Sequence, residues 1–164
     1  MKRYIYKQLL AWKNEKEHKP LILNGARQVG KTYILREFGR NEYKRMAFFS
    51  LDRDQKALEI FNKGGRATDM LMALSAICHE DITPHDTLVV LDEIQNYPKA
   101  LEALKFFCEE TPEIDIVVAG SLLGLSIHSG VSYPVGKVEE LHLYPMTFLE
   151  FLEAMGKTQL VNLL

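Results

Sequence analysis

The chain has 164 residues, of which 47% are hydrophobic and 26% charged, and its formal net charge is −2. This length supports one domain with its own core and excludes two domains of ordinary size. Cys78 and Cys108 lie far apart without a CxxC spacing, which argues against a disulfide framework and favours a reducing cytoplasm. No apolar run approaches the ~18 residues of a membrane helix, and residues 1–19 lack a signal-peptide core, so we expect no membrane partner.

The charges are unevenly distributed along the chain. Most lysines and arginines lie in residues 1–66, and most acidic residues lie in 67–164. A basic half could face nucleotide phosphates, nucleic acid or an acidic partner, whereas a parallel sheet that interleaves the two halves would mix the charges on one surface. A nucleic-acid-binding domain is usually basic overall, so the net charge does not support nucleic acid as a partner.

The first half of the chain predicts two helices and two strands. Apolar periodicity predicts an amphipathic helix over Ile5 to Trp12. The short apolar run Leu21 to Leu23 predicts a buried strand that ends in a Gly-rich turn. Tyr33 to Phe38 predicts a helix that Gly39 stops, and Arg45 to Leu51 predicts a second strand.

The remaining residues continue the alternation of helices and strands. The predicted elements are helices at Ala57 to Phe61 and Asp69 to Cys78, a strand at Leu88 to Leu91, a helix from Pro98 to Cys108, a strand at Ile114 to Ala119, a mobile loop at 122–136, a strand at Val138 to Leu143 and a helix at Thr147 to Met155. Asp52 to Asp54 fits a helix start better than a site. Several strands are continuous apolar runs, which predicts an α/β fold with a covered, mostly parallel sheet.

Residues 25–32 read Gly-Ala-Arg-Gln-Val-Gly-Lys-Thr and match the phosphate-loop pattern GxxxxGK[ST]. The motif follows a predicted strand and opens a predicted helix, which favours a functional loop over a Gly-rich turn that merely packs. Backbone N–H groups of such a loop and the helix N-terminus bind phosphate oxygens. The predicted nucleotide-binding residues are Gly25, Ala26, Arg27, Gln28, Val29, Gly30, Lys31, Thr32 and Tyr33, with a surface role equally open for Arg27 and Gln28.

Each residue type in this loop has a chemical reason. Gly25 and Gly30 allow the backbone angles and the close approach to the ligand. Lys31 would reach the β- and γ-phosphates of ATP, and Thr32 would give its hydroxyl to Mg²⁺.

An acidic pair follows the predicted strand at 88–91. Asp92 would hold Mg²⁺, usually through a water, and Glu93 would polarise the attacking water. A strand that happens to end at an acidic helix start is the alternative. The segment Asn62 to Gly65 lacks the final Asp of the guanine-reading Asn-Lys-x-Asp element, so guanine specificity is not supported.

Ser121 follows another apolar strand. Ligands of open α/β sheets bind at the carboxyl ends of strands, so Ser121 could sense the γ-phosphate or help position the water. A serine that merely makes a turn remains an equal alternative.

These motifs together resemble one family. GARQVGKT at 25–32, LVVLDEIQ at 88–95, VVAGS at 117–121 and the closing segment at 134–152 are similar to the prokaryotic AAA-like P-loop ATPase domain, which usually precedes a poorly characterised C-terminal domain. The resemblance implies a three-layer α/β/α sandwich with a five-stranded sheet of the additional-strand, AAA/RecA-like type. In that fold the Ser121 strand lies between the phosphate-loop strand and the Asp92 strand.

The resemblance also implies roles and limits. Lys31, Glu93 and Ser121 would be catalytic, and Thr32 and Asp92 would hold the metal. Many relatives carry an arginine where this chain has Lys137, and lysine lacks the planar fork of arginine. Activation by a neighbouring subunit is therefore in doubt, and a solvated strand end is the alternative for Lys137.

The resemblance sets the domain boundaries too. Residues 1–155 would form the ATPase domain, and 156–164 would begin a linker or a shortened C-terminal region, because relatives continue past this point. An oligomer is compatible with the family.

Three functions compete at this point. The first is an ATPase that drives or switches a partner, which Glu93 favours. The second is a nucleotide-sensing switch with little turnover, which Lys137 keeps open. The third is a small-molecule phosphotransferase, for which an arginine-rich lid would argue, and 122–137 contain no arginine. The macromolecular partner stays open.

Overall fold

The computed structural model describes residues 3–121 and 133–161. The described elements are, in chain order, α1 (Ile5–Asn14), β1 (Leu21–Asn24), α2 (Lys31–Glu42), β2 (Arg45–Ser50), α3 (Gln55–Lys63), α4 (Ala67–Cys78), β3 (Thr87–Asp92), a 3₁₀ helix (Ile94–Asn96), α5 (Pro98–Glu110), β4 (Asp115–Gly120), β5 (Glu139–His142), α6 (Phe148–Ala154) and α7 (Thr158–Val161). Most of the predicted loop at 122–136 lies outside the described residues. None of the described helices has the length and apolar character to cross a membrane.

The five strands form one sheet in the order β2-β3-β4-β1-β5. Every strand pair in it is parallel. The Ser121 strand, β4, lies between β1 and β3, so the expected insertion of a strand between the phosphate-loop strand and the acidic strand is confirmed. Parallel strands bring their carboxyl ends to the same edge, and the residues that follow β1, β2, β3 and β4 therefore meet there.

Helices cover both faces of the sheet. Along β3, Leu88 and Val90 pack with residues of α1 and α2, whereas Val89 and Leu91 pack with residues of α3, α4 and α5. All six residues of β3 and all six of β4 are buried. This arrangement explains why these strands read as continuous apolar runs, and it confirms the three-layer α/β/α sandwich.

The prediction that Gly39 stops a helix is wrong. α2 continues to Glu42, and Gly39 lies inside it with no positive φ. A Cβ at Gly39 would lie 2.4 Å from Met46 Sδ. The glycine is therefore explained by the close approach of α2 to β2, not by a helix end.

A buried pair of side chains, His18 and Asp115, joins the connector after α1 to the start of β4. His18 Nε2 lies 2.8 Å from Asp115 Oδ1, and the His18 ring packs edge-on against Trp12. The hydrogen bond to Asp115 raises the pKa of His18 above its usual value, although burial opposes this. The fold thus favours the protonated imidazole.

We expect this pair to make stability depend on pH. Because the folded-state pKa of His18 is raised, its contribution is fully present below about pH 6.5, the pKa of an unfolded histidine, and is lost as the pH rises through the folded value. Urea unfolding midpoints measured between pH 5.5 and 8.5 should fall with pH, and His18→Gln should flatten that slope. The exposed His142 offers the matched control, since His142→Gln should leave the slope intact. An unchanged slope in His18→Gln would contradict the assignment.

Candidate functional site

The loop between β1 and α2 is shaped by two glycines. A Cβ at Gly25 would lie 2.5 Å from the backbone oxygen of Leu143, so only glycine allows the loop to pass so close to the residue after β5. Gly30, the residue before α2, has a φ of 96°, which side chains rarely adopt. Gln28 also has a positive φ, 64°, in the left-handed region.

Arg3, for which no role was predicted, supports this loop through hydrogen bonds. Arg3 Nη1 donates to Val29 O at 3.2 Å, and Nη2 donates to Tyr144 O at 2.7 Å. Its Nε pairs with Glu150 Oε1 at 3.1 Å, and both side chains are about 95% buried. A local sequence pattern does not reveal such a residue, because its partners lie far along the chain.

Lys31 lies at the mouth of the loop. Its Nζ donates to Gly25 O at 2.8 Å and to Ala26 O at 2.7 Å. Partial burial lowers the pKa of Lys31 below its usual value, and the charges of Glu93 and Asp92 oppose that shift. In the parts of the chain that the structure describes, no ion pair includes Lys31. Neutral carbonyls therefore hold the ammonium group, and its charge can serve an anionic ligand.

Two oxygen atoms that can ligate a metal ion, Thr32 Oγ1 and Asp92 Oδ2, lie together beside Lys31. Thr32 Oγ1 donates to Asp92 Oδ2 at 2.6 Å, and Glu93 N donates to Asp92 Oδ1 at 3.0 Å. A hydroxyl and a carboxylate from two elements suit a hard divalent cation such as Mg²⁺, which usually takes one or two protein oxygens and fills its shell with water and phosphate. Among the described residues no group of three His, Cys, Asp or Glu forms a metal cage. Thr32 Oγ1 and Asp92 Oδ2 thus suit a divalent cation that keeps its other ligands as water or anionic oxygens.

The side chain of Glu93, the second acid of the pair, is oriented by its backbone conformation and by the side-chain amide of Gln95. Glu93 has a φ of 63° and lies between β3 and the 3₁₀ helix. Its Oε2 accepts a hydrogen bond from Gln95 Nε2 at 2.6 Å. Gln95 Oε1 accepts from Ser121 N at 3.1 Å. The tips of β3 and β4 are therefore linked through one side chain.

These groups surround one cleft of about 580 Å³. It is lined by Arg27, Gln28, Gly30, Lys31, Thr32, Tyr33, Asp52, Glu93, Gln95, Asn96 and Ser121. Among the predicted site residues, Gly25, Ala26, Val29 and Asp92 are not in this lining. Gly25 and Asp92 are buried, and Asp92 is joined to the lining through the Thr32 hydroxyl.

Three lining residues were not predicted for the site: Asp52, Gln95 and Asn96. Asp52 follows β2, and the rule that ligands meet strand ends would have found it. The helix-start interpretation is correct for Asp54, which accepts a hydrogen bond from Ala57 N and caps α3. Asp52 Oδ1 instead accepts from the Tyr97 hydroxyl at 2.8 Å.

Lys137 is not brought to the cleft of its own chain. Its Nζ lies 3.2 Å from Glu109 Oε1, and both side chains are partly exposed. Glu109 belongs to the last turn of α5, which lies at the opposite edge of the sheet from the phosphate loop because α5 leads into the start of β4.

Comparison with known proteins agrees with this geometry. The model of a family described as "AAA domain" matches residues 17–152. A search of curated proteins gives no match. Among solved structures, the chain is similar to one titled "Structure of Drosophila ORC bound to DNA", with a TM-score of 0.54 and 15% identity over 95% of this chain.

That likeness covers 47% of the other chain, so this chain spans about half the length of the structure it matches. At such identity it shows the fold alone. The family match shows more than the fold, because the matched residues 17–152 include the phosphate loop, the acidic pair and Ser121. The chain belongs to the AAA domain family and is a P-loop, ATPase-like nucleotide-binding domain.

Proposed function

We propose that this domain binds ATP with Mg²⁺ and hydrolyses it in the cytoplasm, to drive or switch a partner domain or a macromolecule. The observation that carries the proposal is that three side chains line one cleft and a fourth, Asp92, contacts one of them. Lys31 and Thr32 reach it from α2, Asp92 backs Thr32 from β3, and Glu93 lines it at the tip of β3.

Binding would rest on the phosphate loop. The backbone N–H groups of residues 25–32 and the N-terminus of α2 would hold the phosphate oxygens. Lys31 would leave its two carbonyl partners for the β- and γ-phosphates, which offer it full negative charge. Thr32 and Asp92 would hold Mg²⁺, which neutralises charge on the phosphates.

Hydrolysis would rest on Glu93. Its carboxylate would orient a water and accept its proton while the water oxygen bonds to the γ-phosphorus. The bond from that phosphorus to the β–γ bridging oxygen would break, and ADP and phosphate would leave. Ser121, at the tip of β4, is linked to the Glu93 carboxylate through Gln95 and would lie close to the γ-phosphate. Lys31 would offset the charge that develops on the transferred group.

A nucleotide-sensing switch with little turnover is the second candidate. Lys137 pairs with Glu109 and does not reach the cleft of its own chain, so in an isolated chain the position where many relatives carry an arginine contributes nothing to the cleft. If a neighbouring copy or a following domain must complete the site, the isolated chain would bind ATP and release little phosphate. No contact described here favours a small-molecule phosphotransferase.

The test is turnover of ATP and of GTP by the purified chain, with Mg²⁺ and then with EDTA. We expect ATP turnover that EDTA abolishes and a weaker response to GTP. Turnover that persists in EDTA would contradict the roles of Thr32 and Asp92. Tight ATP binding without turnover, at several protein concentrations, would replace the ATPase by the switch.

A further inference from the structure

The 3₁₀ helix after β3 contains a buried glutamine, Gln95, that none of the binding roles above uses. We propose that Gln95 is a positioning residue, which holds the Glu93 carboxylate in the place where it accepts a proton from water. This inference rests on the proposed hydrolysis, because it assigns the residue through which Glu93 is held.

The contacts of Gln95 fix the orientation of its amide. Nε2 donates to Glu93 Oε2 at 2.6 Å, and a carboxylate can only accept. Oε1 accepts from Ser121 N at 3.1 Å, and a backbone N–H can only donate. A flipped amide would lose both hydrogen bonds, so one orientation is strongly preferred.

The packing around Gln95 limits its movement. The residue is only 4% exposed. A Cβ at Gly120 would lie 3.1 Å from Gln95 Oε1 and 3.2 Å from Ile94 Cγ2, so the amide is in close contact with the backbone of β4. Contact with Gly120 and the hydrogen bond from Ser121 N thus restrain the amide whose Nε2 donates to Glu93.

Among the described residues, the Glu93 carboxylate accepts one hydrogen bond from a side chain, that of Gln95 Nε2. Its left-handed backbone turns the chain out of β3, and its side chain is half-buried at the cleft. A glutamate with free rotamers loses conformational entropy each time it adopts one reactive position. A fixed hydrogen-bond donor removes that cost before the water arrives, and a misplacement of ~1 Å at a reacting group costs about 10²-fold in rate.

The first variant is Gln95→Met, which keeps the length of the side chain and removes both hydrogen bonds. We expect kcat for ATP to fall about 10- to 100-fold, since the base loses its fixed position. The Kd for ATP should stay within a factor of about 2, because Gln95 makes no described contact with Lys31 or Thr32. Gln55→Met makes the same change at an exposed site on α3 and should alter neither constant.

A second variant separates the donor from the packing. Gln95→Glu keeps the acceptor for Ser121 N and the side-chain volume, but it puts an oxygen in place of Nε2. It should lower kcat at pH 8, and lowering the pH should restore part of the rate, since a protonated carboxyl can donate to Glu93 again. Relief of the repulsion between Glu93 and the new carboxylate would add to the same recovery, so the pH response is read together with the double-mutant cycle. Gln95→Glu also keeps the test valid if Gln95→Met does not fold.

A double-mutant cycle with Glu93→Gln decides whether Gln95 acts through Glu93. In the Glu93→Gln background, Gln95→Met should change the residual rate by less than about 2-fold, because residues that act as one unit are not additive. Equal effects in both backgrounds, or an unchanged kcat in Gln95→Met, would overturn the inference. A wild-type chain that shows no turnover would instead refute the proposed hydrolysis, and the role of Gln95 would fail with it.

Discussion

Lys31→Ala is expected to abolish nucleotide binding, raising the Kd for ATP by about 10²-fold or more. Each hydrogen bond between an ammonium and a charged acceptor is worth about 1.5–3 kcal/mol, and Lys31 would make more than one to the phosphates. Titration with ATP by calorimetry measures the change directly. Binding within a few-fold of the wild-type value would remove Lys31 from the site.

The same variant should remain folded, which separates a binding defect from unfolding. Lys31 Nζ donates only to the backbone oxygens of Gly25 and Ala26 among its described hydrogen bonds, and water can replace it at the open mouth of the loop. The free energy of unfolding of Lys31→Ala should therefore stay close to the wild-type value. Lys99→Ala, on the exposed start of α5, is a control that should bind ATP normally.

Glu93→Gln is expected to keep ATP bound and to lower kcat by about 10²–10⁴-fold, the usual contribution of a general base. Glutamine matches glutamate in size but does not accept the proton of the attacking water. The phosphate loop and the Thr32–Asp92 contact are untouched, so the Kd for ATP should change little.

Single-turnover release of phosphate, measured beside ATP binding, checks the prediction for Glu93. Unchanged turnover in Glu93→Gln would eliminate Glu93 as the base. Glu59→Gln, at an exposed position of α3, makes the same chemical change away from the cleft and should leave both readings alone.

The main-chain framework of this site could be predicted from local patterns. The apolar runs of β1, β3 and β4 are long enough and sufficiently flanked by turns to read as buried strands, and the spacing of Gly25, Gly30 and Lys31 specifies the loop. The order of the strands came from the resemblance to a family, since spacing alone does not say which strand lies beside which.

The residues that were missed are those whose roles depend on distant partners. Arg3 contacts Val29, Tyr144 and Glu150, and nothing near Arg3 in sequence indicates this. The sequence around Gln95 does not indicate its role, because that role depends on Ser121 N, which only the fold brings beside Gln95 Oε1. Gly39 has the same local pattern whether it ends a helix or lets Met46 approach, and only the packing of α2 on β2 decides between the two.

The position of β1 in the sheet has a consequence for folding. β1 is the first of the five described strands in chain order, yet both of its neighbours, β4 and β5, come from the second half of the chain. Leu21 pairs with Val117 of β4 and with Glu139 of β5. β2, β3 and β4 can pair with one another in the order in which they emerge, whereas β1 must wait for β4 and β5. Pairings of such separation carry a large loop-closure entropy and form slowly. The strand that carries the phosphate loop is thus the one whose place in the sheet is completed late, and an interrupted chain would leave it unpaired.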